Sequence, residues 1–178
     1  GVDSSLLSDM NKDVNRLSVI AERFSKIGSK PEMELIYVNE VLENATEYMR
    51  RRVSDKVLIT THLPSDAEGA MVCLSLFEWV IENLCKNAID AMDGVGKITV
   101  SVIESATRWY IDVEDTGKGI IKSKHQTIFT PGYTTKKRGW GLGLSLARRI
   151  VEEYHSGRIF VKQSELNKGT VFRIELKK

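Results

Sequence analysis

Gly139-Trp140-Gly141-Leu142-Gly143-Leu144 runs directly into SLARRIVEEY, and this junction restricts the fold more than any other stretch. Alternating glycines cannot sit inside a stable helix, yet a helical apolar period starts at Leu142 and carries on to Tyr154. The glycines therefore open a helix. A glycine run at a helix start leaves backbone N–H groups unpaired beside the positive end of the helix dipole. A chain of phosphates is a natural partner for such an end. A basic segment, Thr130 to Arg138, leads into it.

The rest of the chain supplies what must surround that end. Ser4 to Ile27 reads as one long helix, with Leu7, Met10, Val14, Leu17, Ala21 and Phe24 spaced as the seam of a bundle or coiled coil. Gly28 and Pro31 stop it. Residues 1–30 thus form a separate helical element, and residues 31–178 a second domain. In the second, Leu35 to Val38 reads as a strand, and Asn39 as the cap of a helix to about Arg52. Lys56 to Leu63 is rich in β-branched residues and reads as a strand, and Pro64 to Ala67 as a loop. Met71 to Met92 is the strongest helix, with Phe77, Val80, Ile81, Leu84, Ala88 and Ala91 on its core face. A hairpin follows, Lys97 to Ile103 and Trp109 to Glu114. After a long loop and the helix from Leu142, two strands close the chain, Arg158 to Val161 and Thr170 to Leu176. Helices and hairpin-spaced strands in one unit predict an α+β two-layer sandwich: a mixed, mostly antiparallel sheet with helices on one face, preceded by one long helix.

Composition removes several classes of function. A net charge of +2 over 178 residues gives no ground for nucleic-acid binding. No run of 18 apolar residues is present to span a membrane. Cys73 and Cys85 fall on one predicted helix about 18 Å apart along its axis, too far for a disulfide, so a reducing compartment is expected.

Asn83 and Asn87 stand one turn apart, at the edge of the buried face of the strongest helix. Taken alone they are as well explained as surface asparagines. Their chemistry also suits a hard cation, since Mg²⁺ takes a few protein oxygens and fills its shell with water and phosphate. Asp115, Gly117 and Gly119 follow a strand. A carboxylate there accepts from an exocyclic amine, as on adenine, and repels a carbonyl, as on guanine. Glycines let backbone approach a flat ring. As an isolated pattern this is better explained as a simple turn. Lys118 to Gly139 is longer than an ordinary loop and carries six Lys and Arg side chains, including Lys136; it reads as a solvated loop or as a lid over polyphosphate.

In one order, NLCKN, DTGKG, IFTPGYTTK, GWGLGL and GTVF resemble the ATP-binding domain of sensor histidine kinases, over about Leu35 to Leu176. The resemblance implies a Bergerat-type fold and the cofactors ATP and Mg²⁺. It implies that Asn87 ligates Mg²⁺ with Asn83 beside the phosphates. Asp115 would select adenine, with Gly117 and Gly119 under the base and Thr170 nearby. Gly139, Gly141, Gly143 and the N–H of Leu144 would wrap the phosphates, and Lys136 and Arg148 would approach them. Phe129 would anchor the lid. The activity implied is transfer of the γ-phosphoryl group to a histidine, for relay to an aspartate of a response-regulator receiver. The helix Ser4 to Ile27 resembles the second helix of a dimerisation hairpin, implying a homodimer. The first helix and its phosphoacceptor are expected upstream, because His62, His125 and His155 all read as structural or solvent-facing. The location implied is cytoplasmic, with any membrane attachment through upstream segments.

The sequence also departs from the family's pattern. Trp140 stands where a small residue is usual, and Asp90 where many relatives have a phosphate-touching lysine. Two alternatives lie in the same superfamily: a nucleotide-driven clamp ATPase and a serine-directed kinase. Clamp ATPases place a glutamate four residues before the metal asparagine; here that place is Asn83, and Glu82 is rotated by about 100°. A non-catalytic nucleotide-binding or regulator-docking module is the third reading.

Overall fold

A computed structural model of the chain describes residues 32–134, 141 and 143–178. The expected helix Ser4 to Ile27, and with it the domain of residues 1–30, lies outside the described residues. Residues Met33–Lys178 form one compact unit.

Its elements run β1 (Glu34–Tyr37), α1 (Val38–Arg50), β2 (Val57–His62), β3 (Gly69–Val72), α2 (Leu74–Ala91), β4 (Gly96–Glu104), β5 (Arg108–Asp115), α3 (Gly143–Arg149), β6 (Arg158–Glu165) and β7 (Gly169–Lys177). Two short 3-10 turns, Lys122–Lys124 and Thr127–Phe129, lie between β5 and α3. The main sheet has the order β2-β4-β5-β7-β6. Only the β2–β4 pair is parallel; the others are antiparallel. That is the expected α+β sandwich with a mixed, mostly antiparallel sheet.

Period-2 alternation sets its faces. Ile98, Val100 and Val102 of β4, Trp109, Ile111 and Val113 of β5, and Phe172, Ile174 and Leu176 of β7 are all buried. They meet Val41, Leu42, Ala45 and Met49 of α1 and Phe77, Val80, Ile81, Leu84 and Ala88 of α2 in one core. Each such side chain contributes about 1.5–3 kcal/mol on burial. The opposite face is covered by charge. Asp112 accepts hydrogen bonds from Arg173 at 2.7 and 2.9 Å and from Lys162 at 3.3 Å, and Glu175 pairs with Arg108 at 3.0 Å.

Three local expectations are corrected. Asn39 is not the cap of α1: Tyr37 holds that place in an extended conformation without a side-chain cap, and the Asn39 amide instead donates to the Pro64 carbonyl. Met71 and Val72 belong to β3, which pairs with β1 in a separate two-stranded sheet. Ala70 and Val72 are buried while Met71 is exposed, a strand alternation that an apolar run continuous with α2 conceals. Extended backbone at Cys73 ends it, so α2 begins at Leu74. Finally, the helix expected from Leu142 to Tyr154 is α-helical only over Gly143–Arg149 and continues as a π turn over Ile150–Tyr154.

Candidate functional site

The middle of α2 carries Asn83 and Asn87 on one side, both half-buried. The first turn of α3 sits directly on Asn83: a Cβ on Gly143 would lie 2.6 Å from Asn83 Oδ1. A larger residue there would displace the Asn83 amide. The Asn83 side-chain nitrogen is buried and has no hydrogen-bond partner among the described residues. An amide donor left so is costly unless something accepts from it. Glu82 is turned into the protein at 3% exposure, where it does not share the outlook of Asn83.

Gly141 accepts a backbone hydrogen bond from Gly132 at 3.0 Å, which ties the glycine run to the Pro131–Gly132 turn. Leu144 is half-buried in the first turn of α3. Lys136 and Gly139, and also Trp140, lie outside the described residues.

Asp115 ends β5 at 5% exposure. Its Oδ1 accepts from the Gly117 N–H at 2.8 Å, and the Thr170 N–H also donates to the carboxylate. Burial raises its pKa above the usual carboxylate value, the two backbone donors work against that, and neighbouring Glu114 adds to it. A carboxylate has about four lone-pair sites, so with two backbone donors it keeps capacity to accept from a ligand.

Gly117 and Gly119 are explained by packing within the protein. A Cβ on Gly117 would lie 2.6 Å from the Ala91 carbonyl at the end of α2, and the Lys118 N–H donates to that same carbonyl at 2.9 Å. Gly119 is left-handed, with φ +76°, and a Cβ there would strike the Glu165 carbonyl. Thr170 is buried at 3% exposure on β7, which pairs with β5. Asp115 and Thr170 are therefore brought together.

Arg148 is drawn elsewhere. It is paired with Glu152 at 3.2 Å and lies over the Phe129 ring at 5.5 Å. Phe129 is buried and meets Phe172 edge-on, with ring centroids 6.2 Å apart, so the loop after β5 is anchored as expected.

One residue at this site, Ser164, escaped the sequence reading. Ser164 accepts from the Ile120 N–H at 2.7 Å and contacts Thr170 Oγ1 at 2.7 Å. His155, read only as structural or solvent-facing, is a structural link: its Nε2 accepts from the Cys73 N–H at 3.1 Å, and its Nδ1 donates to the Ile150 carbonyl at 2.9 Å. A histidine at the end of an apolar helix was the available signal. For Ser164 there was none.

Residues 74–178, which span the asparagines, Asp115, the glycine run and Thr170, match the family model described as histidine kinase-, DNA gyrase B-, and HSP90-like ATPase. The chain belongs to this family. Sporulation kinase C of Bacillus subtilis (strain 168) is 32% identical over 141 residues, which is 78% of this chain and 32% of that protein. Sensor histidine kinase ZraS of Salmonella typhi is 49% identical over 98 residues, 54% of this chain and 21% of that protein. The solved catalytic domain of histidine kinase ThkA, in a nucleotide-free form, matches with a TM-score of 0.74 at 28% identity, over 83% of this chain and 96% of that one. The chain spans a third or less of the length of these two curated relatives. It is a histidine-kinase catalytic ATPase domain, and as such binds ATP; the clamp and serine-directed readings are not favoured.

Proposed function

We propose that the chain is the catalytic part of a two-component sensor kinase, which binds Mg-ATP and passes the γ-phosphoryl group to a histidine on an upstream helix. The observation that carries this reading is the buried Asp115 carboxylate, held by the Gly117 and Thr170 N–H groups, at the end of a strand next to the helix bearing Asn83 and Asn87. Asp115 accepts from the adenine amine. Asn83 donates its unpartnered amide hydrogens to phosphate oxygens. Backbone N–H groups along Gly139, Gly141, Gly143 and Leu144 cradle the phosphate chain, with Lys136 closing from the lid.

The residues fit Mg²⁺. Among the described residues no group of three or more His, Cys, Asp or Glu converges to hold a metal. Asn87 therefore offers one neutral oxygen, which suits an ion that takes the rest of its shell from phosphate and water. When bound, Mg²⁺ neutralises charge on the phosphates. Arg148 must leave Glu152 to reach them. That pair is part-exposed, with side chains 41% and 38% accessible, and exchanging it costs at most about 1 kcal/mol.

Transfer then depends on holding the γ-phosphate in line with the acceptor nitrogen. The parent protein would dimerise through a hairpin whose second helix is Ser4 to Ile27, work in the cytoplasm, and hand the phosphoryl group to a response-regulator receiver. Among the described residues no helix is long and apolar enough to cross a membrane.

The test joins the chain to its upstream helix and supplies γ-labelled ATP. Acid-labile, base-stable label on that helix is expected, with loss of about 100-fold or more in Asn87→Ala. Label that never appears on histidine, with ATP bound normally, would overturn the transfer reading.

A further inference from the structure

We infer that Ser164 is a positioning residue for base selection: it fixes the hydroxyl of Thr170 so that this hydroxyl can only accept. The inference rests on the nucleotide reading of Asp115 and Thr170 given above.

The argument begins with register. β6 pairs with β7 as Val161↔Phe172 and then Gln163↔Val171 and Ser164↔Thr170, with a bulge between Val161 and Gln163. In an unbroken ladder Gln163 would stand opposite Thr170. The extra residue, Lys162, shifts the alternation and brings Ser164 there instead. A long amide is thereby replaced by a short hydroxyl next to the Asp115 carboxylate.

Valence decides what that hydroxyl does. Ser164 Oγ has one proton and two lone pairs. The Ile120 N–H, at 2.7 Å, can only donate and occupies one lone pair. The Gly169 carbonyl, at 3.2 Å, can only accept and takes the proton. In that arrangement one lone pair is left for Thr170 Oγ1 at 2.7 Å, a contact in which either hydroxyl can donate, and we assign the donor role to Thr170. Its own proton is thus committed inside the protein. What Thr170 Oγ1 retains is lone pairs, beside a carboxylate to which the Thr170 N–H already donates.

The two side chains therefore present acceptors only. That face favours a base edge bearing amine hydrogens and disfavours one bearing a carbonyl oxygen. Adenine has the first at its six position; hypoxanthine and guanine have the second. Without Ser164 the Thr170 hydroxyl turns freely and can donate to a carbonyl. Base selection then falls on Asp115 alone.

The measurement is the affinity of the folded chain for ATP and for ITP, each with Mg²⁺, in the natural protein, Ser164→Ala and Ser164→Thr. In the natural protein ATP binds and ITP binds more weakly. In Ser164→Ala the ATP-to-ITP ratio is expected to narrow by roughly three- to tenfold, the range of one neutral hydrogen bond. Ser164→Thr keeps a hydroxyl in place and is expected to restore the ratio. A variant that weakens both nucleotides equally, or one that keeps the ratio unchanged, would overturn the role of Ser164 and leave the nucleotide site standing. A natural protein that binds neither nucleotide would instead overturn the site itself.

Discussion

Asp115 is held in a state that does not favour its own fold. Its buried carboxylate has a raised pKa, so at neutral pH the folded chain carries an ion that would sooner be neutral. By linkage, a raised folded value gives stability that is present below the unfolded value of 3.8 and lost as pH rises through the folded one. Asp115→Asn keeps an oxygen for the Gly117 and Thr170 N–H groups and removes the charge. It should therefore raise the melting temperature of the nucleotide-free domain at neutral pH while abolishing ATP binding. Calorimetry on the same samples reads both. A variant that melts lower and still binds ATP would refute the account. On the proposed reading of Asp115, stability and selectivity are opposed at this one side chain.

The elements explain how much could be read without coordinates. Period-2 runs located β2, β4, β5 and β7 to within a residue or two, because each buries one face and exposes the other. Asp115 and Thr170 fall on such strands, and Asn83 and Asn87 on α2, whose helical period was equally plain. β3 was missed because its four residues are apolar and run into α2, so the period never shows. Ser164 was missed because a bulge reverses inside and outside, and no local residue type announces it. The π turn was missed for a related reason: its stabilising partner is distant. His155 closes that turn by donating to Ile150, and it reaches across to the Cys73 N–H at the start of α2. It thereby ties the helix after the glycine run to the helix of the asparagines.

Both bonds require the neutral ring, with the proton on Nδ1. Burial depresses the His155 pKa below 6.5, and the Ile150 carbonyl only partly offsets this. The unfolded chain takes a proton that the folded one refuses, so this stability is full above 6.5 and lost as pH falls through the lower folded value. His155→Ala should cost about 2–3 kcal/mol by urea unfolding near neutrality, and should lose part of the natural protein's acid sensitivity. An unchanged pH dependence would show that another group sets it. Cys85 lies in the same core, where burial first and Glu82 second push its thiol up to about 12. Thiol reagents should therefore label it only on unfolding.

The sandwich as a whole has two faces with different chemistry, one apolar beneath the helices and one bound by ions. Asp112 is 6% exposed on the second face. Burial would raise its pKa, but hydrogen bonds from Arg173 and the charges of Arg173 and Lys162 outweigh this and hold it below 3.8. Its contribution is present above 3.8 and lost as pH falls through the folded value. Arg173→Ala leaves that carboxylate with Lys162 alone and should cost up to about 3 kcal/mol in urea, with ATP affinity unchanged because the proposed site lies on the other face. A large loss of affinity at full occupancy of the folded state would link the faces.

The bond from Lys118 to the Ala91 carbonyl reaches further than its 2.9 Å. Ala91 stands one turn beyond Asn87, so the loop that follows Asp115 is bolted to the same helix that carries Asn87. On the proposed reading of Asp115 and Asn87, the span from base to phosphate would be gauged by helix pitch, about 6 Å for those four residues. A flexible loop would tolerate ligands of many lengths; a rigid caliper of this kind measures one.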